Sequence, residues 1–276
     1  MPSFGIGTWQ MGGRLEYNPA NDDEADIRAI QAAIELGVTH FDTAEQYAQG
    51  YTEELLGKAI LGHDRSKLFI ISKVMDINMR YDDVLAACER SLKRVGTDHF
   101  DMYLLHRYVP DVPMEETMRA MDKLMAEGLI RNIGVANYGV EAFKKAQAAT
   151  ANKIVYDQVH YNLEVRAPER TGLLEYCQHN DVLLAAWRPV QKGALLVNPP
   201  AILLEMAKKY DKTPAQIAIN WLLSQENVVT LAKTSNLEHL KENLGAIGWQ
   251  MSTDDIERLR SDYPGQQDSS AAVPLG

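Results

Sequence analysis

The chain has 276 residues, 46% apolar and 24% charged, which is enough to bury one large core; no apolar run reaches the length of a membrane span. Its 38 acidic residues outnumber 28 basic ones, and the net charge of −10 argues against a nucleic-acid or anionic-membrane surface. Any anionic ligand must therefore be held by local cations.

Strand-like and helix-like runs alternate along the chain. Ile6 to Trp9 opens as a strand, and an amphipathic run from Asp23 to Leu36 follows, with Gly37 as its stop. Val38 to Asp42 is short and apolar, as a buried strand would be. Thr52 to Leu61 reads as the second helix, Leu68 to Lys73 as the third strand, and Tyr81 to Val95, before Gly96, as the third helix. The fourth pair is Phe100 to Leu105 and Met114 to Glu127, and the fifth Ile130 to Val135 and Val140 to Ala149. The sixth is Ile154 to Val159 and Pro168 to Asn180, and Val182 to Trp187 is the seventh strand. A loop then leads to helices Ala201 to Tyr210 and Pro214 to Ser224, the latter with Thr213 and Gln216 as a capping box. Val228 to Ala232 and Leu237 to Leu244 complete the eighth pair, and a last helix, Thr253 to Ser261, starts at the cap Ser252. Eight strand–helix units with short connections predict a (β/α)8 barrel. The rival is a doubly wound open sheet, but no G-x-G-x-x-G follows the first strand and no P-loop is present.

Cys88 and Cys177 lie far apart in helical patterns and read as packed thiols of a reducing cytosol. Met1 to Gly5 has no signal-peptide pattern, and there is no Gly/Ser linker, so one cytoplasmic domain over residues 1–276 is expected, with 263–276 as a polar tail.

Four polar residues fall at or just beyond the ends of successive strands: Asp42, then Tyr47 in the loop after it, Lys73, and His106. A strand-end lysine is usually snorkelled, and a lone histidine after an apolar run is usually a core residue. Successive barrel strands, however, set their C-terminal ends side by side, on the face where barrel active sites sit. The chemistry is then readable. A phenol titrates near ~10, and a buried ammonium beside it should lower that value. Asp42 would hold Lys73, His106 would donate to a substrate oxygen, and Tyr47 would give its proton to a carbonyl oxygen becoming alkoxide.

On F-D-T-A-E-Q-Y, I-S-K-V and L-L-H the chain resembles the aldo-keto reductase family, and the likeness runs from G-I-G-T-W to the last helix. The resemblance implies a metal-free (β/α)8 barrel that binds NADPH across its top. Asp42, Tyr47, Lys73 and His106 become the catalytic tetrad, with Tyr47 as the acid. Asn137 and Gln158 would hold the nicotinamide carboxamide, Trp187 would stack on the ring, and Gly7 and Thr8 would lie beside the cofactor. Lys233, Thr234, Ser235 and Asn236 match the segment holding the adenosine 2′-phosphate, at a helix N-terminus. Glu242 and Asn243 match the adenine contacts. Trp9, Arg107, Tyr108 and Tyr138 would line the substrate pocket.

Several positions depart from the family pattern. Ala136 stands where a serine is common, and His239 where an arginine is, so NADH is expected as a weaker alternative to NADPH. Arg188 replaces a small residue and could reach the cofactor pyrophosphate, a substrate anion or solvent. The family's usual N-terminal hairpin is missing ahead of the first strand. The loop after His106 and the tail are short, predicting an open, shallow pocket. Small aldehydes or ketones are the expected substrates of a monomer or weak homo-oligomer. A cofactor-sensing binding subunit with slow turnover is the alternative, and a phosphate-binding lyase or isomerase barrel is a third reading.

Overall fold

The computed structural model describes residues 1–276. Eight parallel strands close into a barrel in chain order: β1 (Phe4–Gly7), β2 (His40–Asp42), β3 (Phe69–Val74), β4 (Met102–Leu105), β5 (Ile133–Ala136), β6 (Ile154–His160), β7 (Leu183–Trp187) and β8 (Val228–Ala232). Around it run α1 (Asp23–Glu35), α2 (Tyr51–Ile60), α3 (Tyr81–Val95), α4 (Met114–Ala126), α5 (Val140–Ala148), α6 (Ala167–Arg170), α7 (Leu173–His179), α8 (Ala194–Val197), α9 (Ala201–Tyr210), α10 (Pro214–Leu223), α11 (Leu237–Leu244) and α12 (Thr253–Asp262). No helix is long and apolar enough to cross a membrane.

The expected elements are all present, with three corrections. β1 runs over Phe4–Gly7 and not over Ile6 to Trp9, so Thr8 and Trp9 lie beyond its end. The helix expected over Pro168 to Asn180 is broken into α6 and α7, because Gly172 takes a left-handed φ of +76° between them. The stretch after β7, expected as plain loop, carries the short helix α8 and positive φ values at Arg188, Gln191 and Lys192.

Two cores follow from strand alternation. Residues facing outward pack beneath the helices in the main core, Phe41, Ile70, Val135 and Leu184 among them. Residues facing inward form a smaller cluster that fills the barrel: Ile71, Met102, Leu104, Ala136, Tyr156, Ala185 and Val229. Gly134 leaves the room this filling needs, since a Cβ there would come 2.4 Å from Leu104 Cδ2. The period of two then places the top of the barrel. Lys73 lies two residues beyond Ile71, His106 beyond Leu104, Gln158 beyond Tyr156, and Trp187 beyond Ala185. Register joins them: Gly7 pairs with Asp42, Ala136 with Gln158, His160 with Trp187 and Trp187 with Leu231.

Candidate active site

Lys73 is the centre of the constellation. Its side chain is completely buried, and its three ammonium protons have three acceptors: Asp42 Oδ1 at 2.7 Å, Thr43 O at 2.8 Å and Tyr47 Oη at 3.2 Å. The second oxygen of Asp42 accepts from Gln158 Nε2 at 2.8 Å. A buried charge is tolerated only when paired and fully hydrogen-bonded, and this one is both. Thr8, completely buried, donates its backbone N–H and its hydroxyl to Asp42 O, each at 2.9 Å, and so braces the carboxylate's backbone.

Tyr47 reaches the site from a sharp turn in which Ala48, Gln49 and Gly50 all have positive φ. Its ring meets Trp9 edge-on at 4.9 Å and His106 at 5.8 Å. The expectation that Lys73 drops the phenol below its ordinary pKa is corrected. Burial dominates and raises the Tyr47 pKa, Lys73 pulls it down, and Asp42 pushes it up; the direction is upward. Burial also raises Asp42, against the pull of Lys73. Lys73 itself is held above the usual lysine value: burial lowers it, but the Asp42 and Tyr47 charges more than compensate. Burial, helped by the Lys73 and Arg107 charges, holds His106 well below the ordinary histidine range, so its imidazole is neutral and has one N–H to donate. Tyr47 stays a phenol, and the site is poised to donate protons rather than to take them.

A cavity of ≈ 510 Å³ opens over these groups. Gly7, Trp9, Asp42, Tyr47, His106 and Arg107 line one part of it. Asn137, Gln158, Trp187 and Arg188 line it as well, and so do Lys233, Thr234, His239, Glu242 and Asn243. Asn137 reaches it only because its φ is +63°; plain alternation after Ala136 would turn it outward. Its amide donates to His106 O at 3.2 Å, and its Oδ1 accepts from Trp187 Nε1 at 3.3 Å. The Arg188 guanidinium lies 4.9 Å from the centre of the Trp187 ring.

Some of the expected residues are not in the cavity wall. Thr8 and Lys73 lie behind it, bracing Asp42. Tyr108 and Tyr138 pack on each other at 5.8 Å, and Tyr138 is buried. Ser235 accepts from Lys233 Nζ at 2.8 Å instead of lining the site. Asn236 is likewise outside the wall: it caps α11, its Oδ1 accepting from Glu238 N at 2.8 Å and His239 N at 3.2 Å. Its side chain is thus spent on the helix end. Conversely, Gln10, Gln46, Lys192, Leu196 and Val273 line the cavity without having been expected. No strand period marks them, since they come from loops, the short α8 and the tail. Lys192 had one signal, a cation beside Gly193 in the loop after a barrel strand. The short tail, far from leaving the pocket open on its side, supplies Val273 to the wall.

Arg107, Arg188, Lys192 and Lys233 all line this cavity, and none forms an ion pair with a carboxylate. Burial lowers the pKa of Arg188 and of Lys192, and Lys192 is lowered further by Arg188 and Arg14 nearby. In a chain of charge −10, that is a concentration of unpaired positive charge at one place.

Comparison with known proteins agrees with this architecture. The sequence profile of the Aldo/keto reductase family matches residues 3–263. The methylglyoxal reductase YeaE of Escherichia coli (strain K12) is 34% identical over 98% of this chain and 94% of its own. The glyoxal reductase of Bacillus subtilis (strain 168) is 33% identical over 94% of this chain and 88% of its own. Among solved structures, the thermostable aldo-keto reductase Tm1743, in complex with the inhibitor epalrestat, superposes with a TM-score of 0.91 at 43% identity, covering 95% of each chain. An aldo-keto reductase from Klebsiella pneumoniae in complex with NADPH gives 0.87 at 33% identity, over 98% of this chain and 94% of that one. With the profile spanning nearly the whole barrel and relatives this similar over most of their length, the chain belongs to the aldo/keto reductase family.

Proposed function

We propose that this protein reduces small aldehydes and ketones, dicarbonyls of the glyoxal and methylglyoxal type foremost, with hydride from NADPH. The observation that carries the reading is the bridge Asp42–Lys73–Tyr47, which ends on a phenol facing the cavity beside His106 and Trp9. The kinship with glyoxal and methylglyoxal reductases supports the substrate class.

The residues present fit the cofactor. Unpaired Arg188, Lys192 and Lys233 offer charge to its phosphates. Trp187 offers a ring face, Gln158 Oε1 can accept from a carboxamide, and Asn137 can contact the same group. NADPH, when bound, supplies the hydride. The chain's own residues do the rest. His106, neutral, donates a hydrogen bond to the carbonyl oxygen and fixes its orientation. Tyr47 Oη transfers its proton to the same oxygen as negative charge develops there. Lys73 compensates the phenolate left behind, and Asp42 keeps the ammonium charged and aimed. Arg107 at the rim attracts polar or anionic carbonyls. We read the chain as one domain over residues 1–276, acting in the cytoplasm as a monomer or weak homo-oligomer, without a nucleic-acid partner. Tyr47→Phe tests the assignment: methylglyoxal reduction, followed by NADPH absorbance, should fall by ~10²–10⁴-fold while NADPH still binds. A variant that keeps kcat within a few-fold of wild type would remove Tyr47 from the acid role.

A further inference from the structure

The residues after α12 read as a polar tail, yet they are fastened to the barrel at three places. Gln267 N donates to Glu164 O at 2.7 Å, and Gln267 O accepts from Arg166 N at 2.8 Å. Ser270 Oγ lies 2.7 Å from His160 Nδ1. Gly276 N donates to Asn137 O at 2.9 Å, and Gly276 O accepts from Gly139 N at 2.8 Å. The third attachment grips the turn that presents Asn137 to the cavity.

His160, the last residue of β6, is where the tail meets the site. It is 4% exposed. Its ring stacks on Trp187, with centroids 4.2 Å apart and planes within 11°. Trp187 lines the cavity and His160 does not, so the imidazole backs the indole from outside the cavity wall. His160 Nε2 lies 2.9 Å from Gln191 Oε1, in the loop after β7. A carbonyl oxygen only accepts, so Nε2 carries the proton. Nδ1 then accepts from the Ser270 hydroxyl, whose oxygen in turn accepts from Ala272 N at 3.2 Å and Val273 N at 3.1 Å. Burial lowers the His160 pKa to about 4, which keeps this one-donor, one-acceptor imidazole neutral. Asn162 closes the ring of contacts by donating to Arg188 O at 2.8 Å. The indole's one hydrogen bond, from Nε1 to Asn137 Oδ1, ends on the turn that the tail also holds.

We propose that His160 is a positioning residue for the cofactor platform: through Trp187, Gln191 and Ser270 it ties the β7 loop and the C-terminal segment into one backing behind the nicotinamide site. The proposal rests on the reductase reading above. It makes the tail part of cofactor binding, though the tail's polar sequence shows no such role. Ring stacking alone would leave the indole free to slide in its plane. The two hydrogen bonds of the imidazole fix the position of the ring beneath it.

The test uses the full chain and four variants: His160→Phe, which keeps a ring and removes both hydrogen bonds; Ser270→Ala, a small change at the tail; Ser270→Thr, which restores the hydroxyl; and the His160→Phe/Ser270→Ala pair. NADPH dissociation constants are measured by calorimetry, methylglyoxal kcat at saturating NADPH, and Tm by circular dichroism. His160→Phe and Ser270→Ala should each weaken NADPH binding by about 3- to 10-fold, the size of a lost hydrogen bond, and lower kcat with it. Ser270→Thr should restore both. The pair should lose less than the product of the two single losses, because both cut the same chain of contacts. Should Ser270→Ala lower only Tm, with NADPH affinity and kcat within about twofold of wild type, His160 and the tail are mere packing and the proposal is overturned. Wild-type protein that neither binds NADPH nor reduces methylglyoxal would overturn the reductase reading itself, and the proposal with it. The wild-type control tells these two failures apart.

Discussion

At the scale of single residues, the balance between burial and charge decides the chemistry. Lys73 carries the only cation in contact with Tyr47, yet burial outweighs it and the phenol's pKa rises. Lys73→Met removes the one group that pulls this pKa down and leaves Asp42 pushing it up. With Tyr47 in the proposed acid role, the alcohol-oxidising direction needs it ionised, so the rise of rate with pH should move to higher pH as the rate falls. An oxidation profile that matches wild type would show that Lys73 does not act on the phenol. The same substitution strands a buried carboxylate, so stability should also drop, by about 3–5 kcal/mol in denaturant titrations. Lys233 makes a different case. Its nearest polar partner is Ser235, not a carboxylate, so its charge is free for a ligand. Lys233→Ala should weaken NADPH far more than NADH, which lacks the 2′-phosphate, and the gap should close as salt rises. Equal losses for the two cofactors would place the phosphate elsewhere.

At the scale of elements, capping and alternation explain most of what holds the site. Both caps read from sequence beside the last helices are present: Thr213 with Gln216 on α10, and Ser252 on α12. Ser252 Oγ accepts from Asp255 N at 3.3 Å and donates to Asp255 Oδ2 at 2.7 Å, while Lys209 and Tyr210 bind the same carboxylate from α9. The cap is therefore also a joint between helices. Ser252→Ala should cost about 1 kcal/mol. Lys209 first, and then Tyr210, hold the Asp255 pKa down, from 3.8 to about 2. A depressed carboxylate contributes stability that is complete above its unfolded pKa and is lost as pH falls through the folded one. The difference in Tm between wild type and Asp255→Asn should be full at neutral pH and shrink between about pH 4 and pH 2. A gap constant over that range would show that the charge is not what binds α12 to α9.

At the scale of the whole molecule, the barrel buries polar groups at both ends. His40 is completely buried among the inward residues of the bottom, where Gly5 has no room for a Cβ: one would come 2.5 Å from His40 Nδ1. Burial lowers the His40 pKa from 6.5 to about 4. The unfolded chain binds that proton first, so stability is full above pH 6.5 and is lost as pH falls toward 4. His160 acts in the same window and the same direction. His106 acts in the same direction, whereas the buried carboxyls of Asp42, Glu53 and Asp157, which burial raises, act in the opposite one. Each tenfold difference in proton affinity between the folded and unfolded chain is worth about 1.4 kcal/mol, so the His40 contribution alone should fall by a few kcal/mol on going from about pH 7 to about pH 4. Urea unfolding of wild type and of His40→Gln across that range checks it: wild type should lose stability more steeply than the variant as pH falls, and parallel profiles would mean that the His40 imidazole does not stay neutral in the fold.

The barrel and the convergence of Asp42, Lys73 and His106 at its top were legible in the sequence alone, because both rest on local periodicity. Eight apolar runs each followed by a helix admit few closures, and strand alternation carries Lys73 and His106 inward once Ile71 and Leu104 fill the core. What the tertiary structure alone decided lies in segments without a period. Asn137 points into the cavity because of one left-handed residue. Lys192 and Val273 arrive on a loop and a tail, and His160 and Ser270, far apart in the chain, meet only because β6 and the tail end at the same rim. The direction of the Tyr47 pKa belongs here too. Sequence shows which charges stand near the phenol, but the cost of desolvating it depends on how completely the surrounding chain excludes water, and that is a property of the closed barrel.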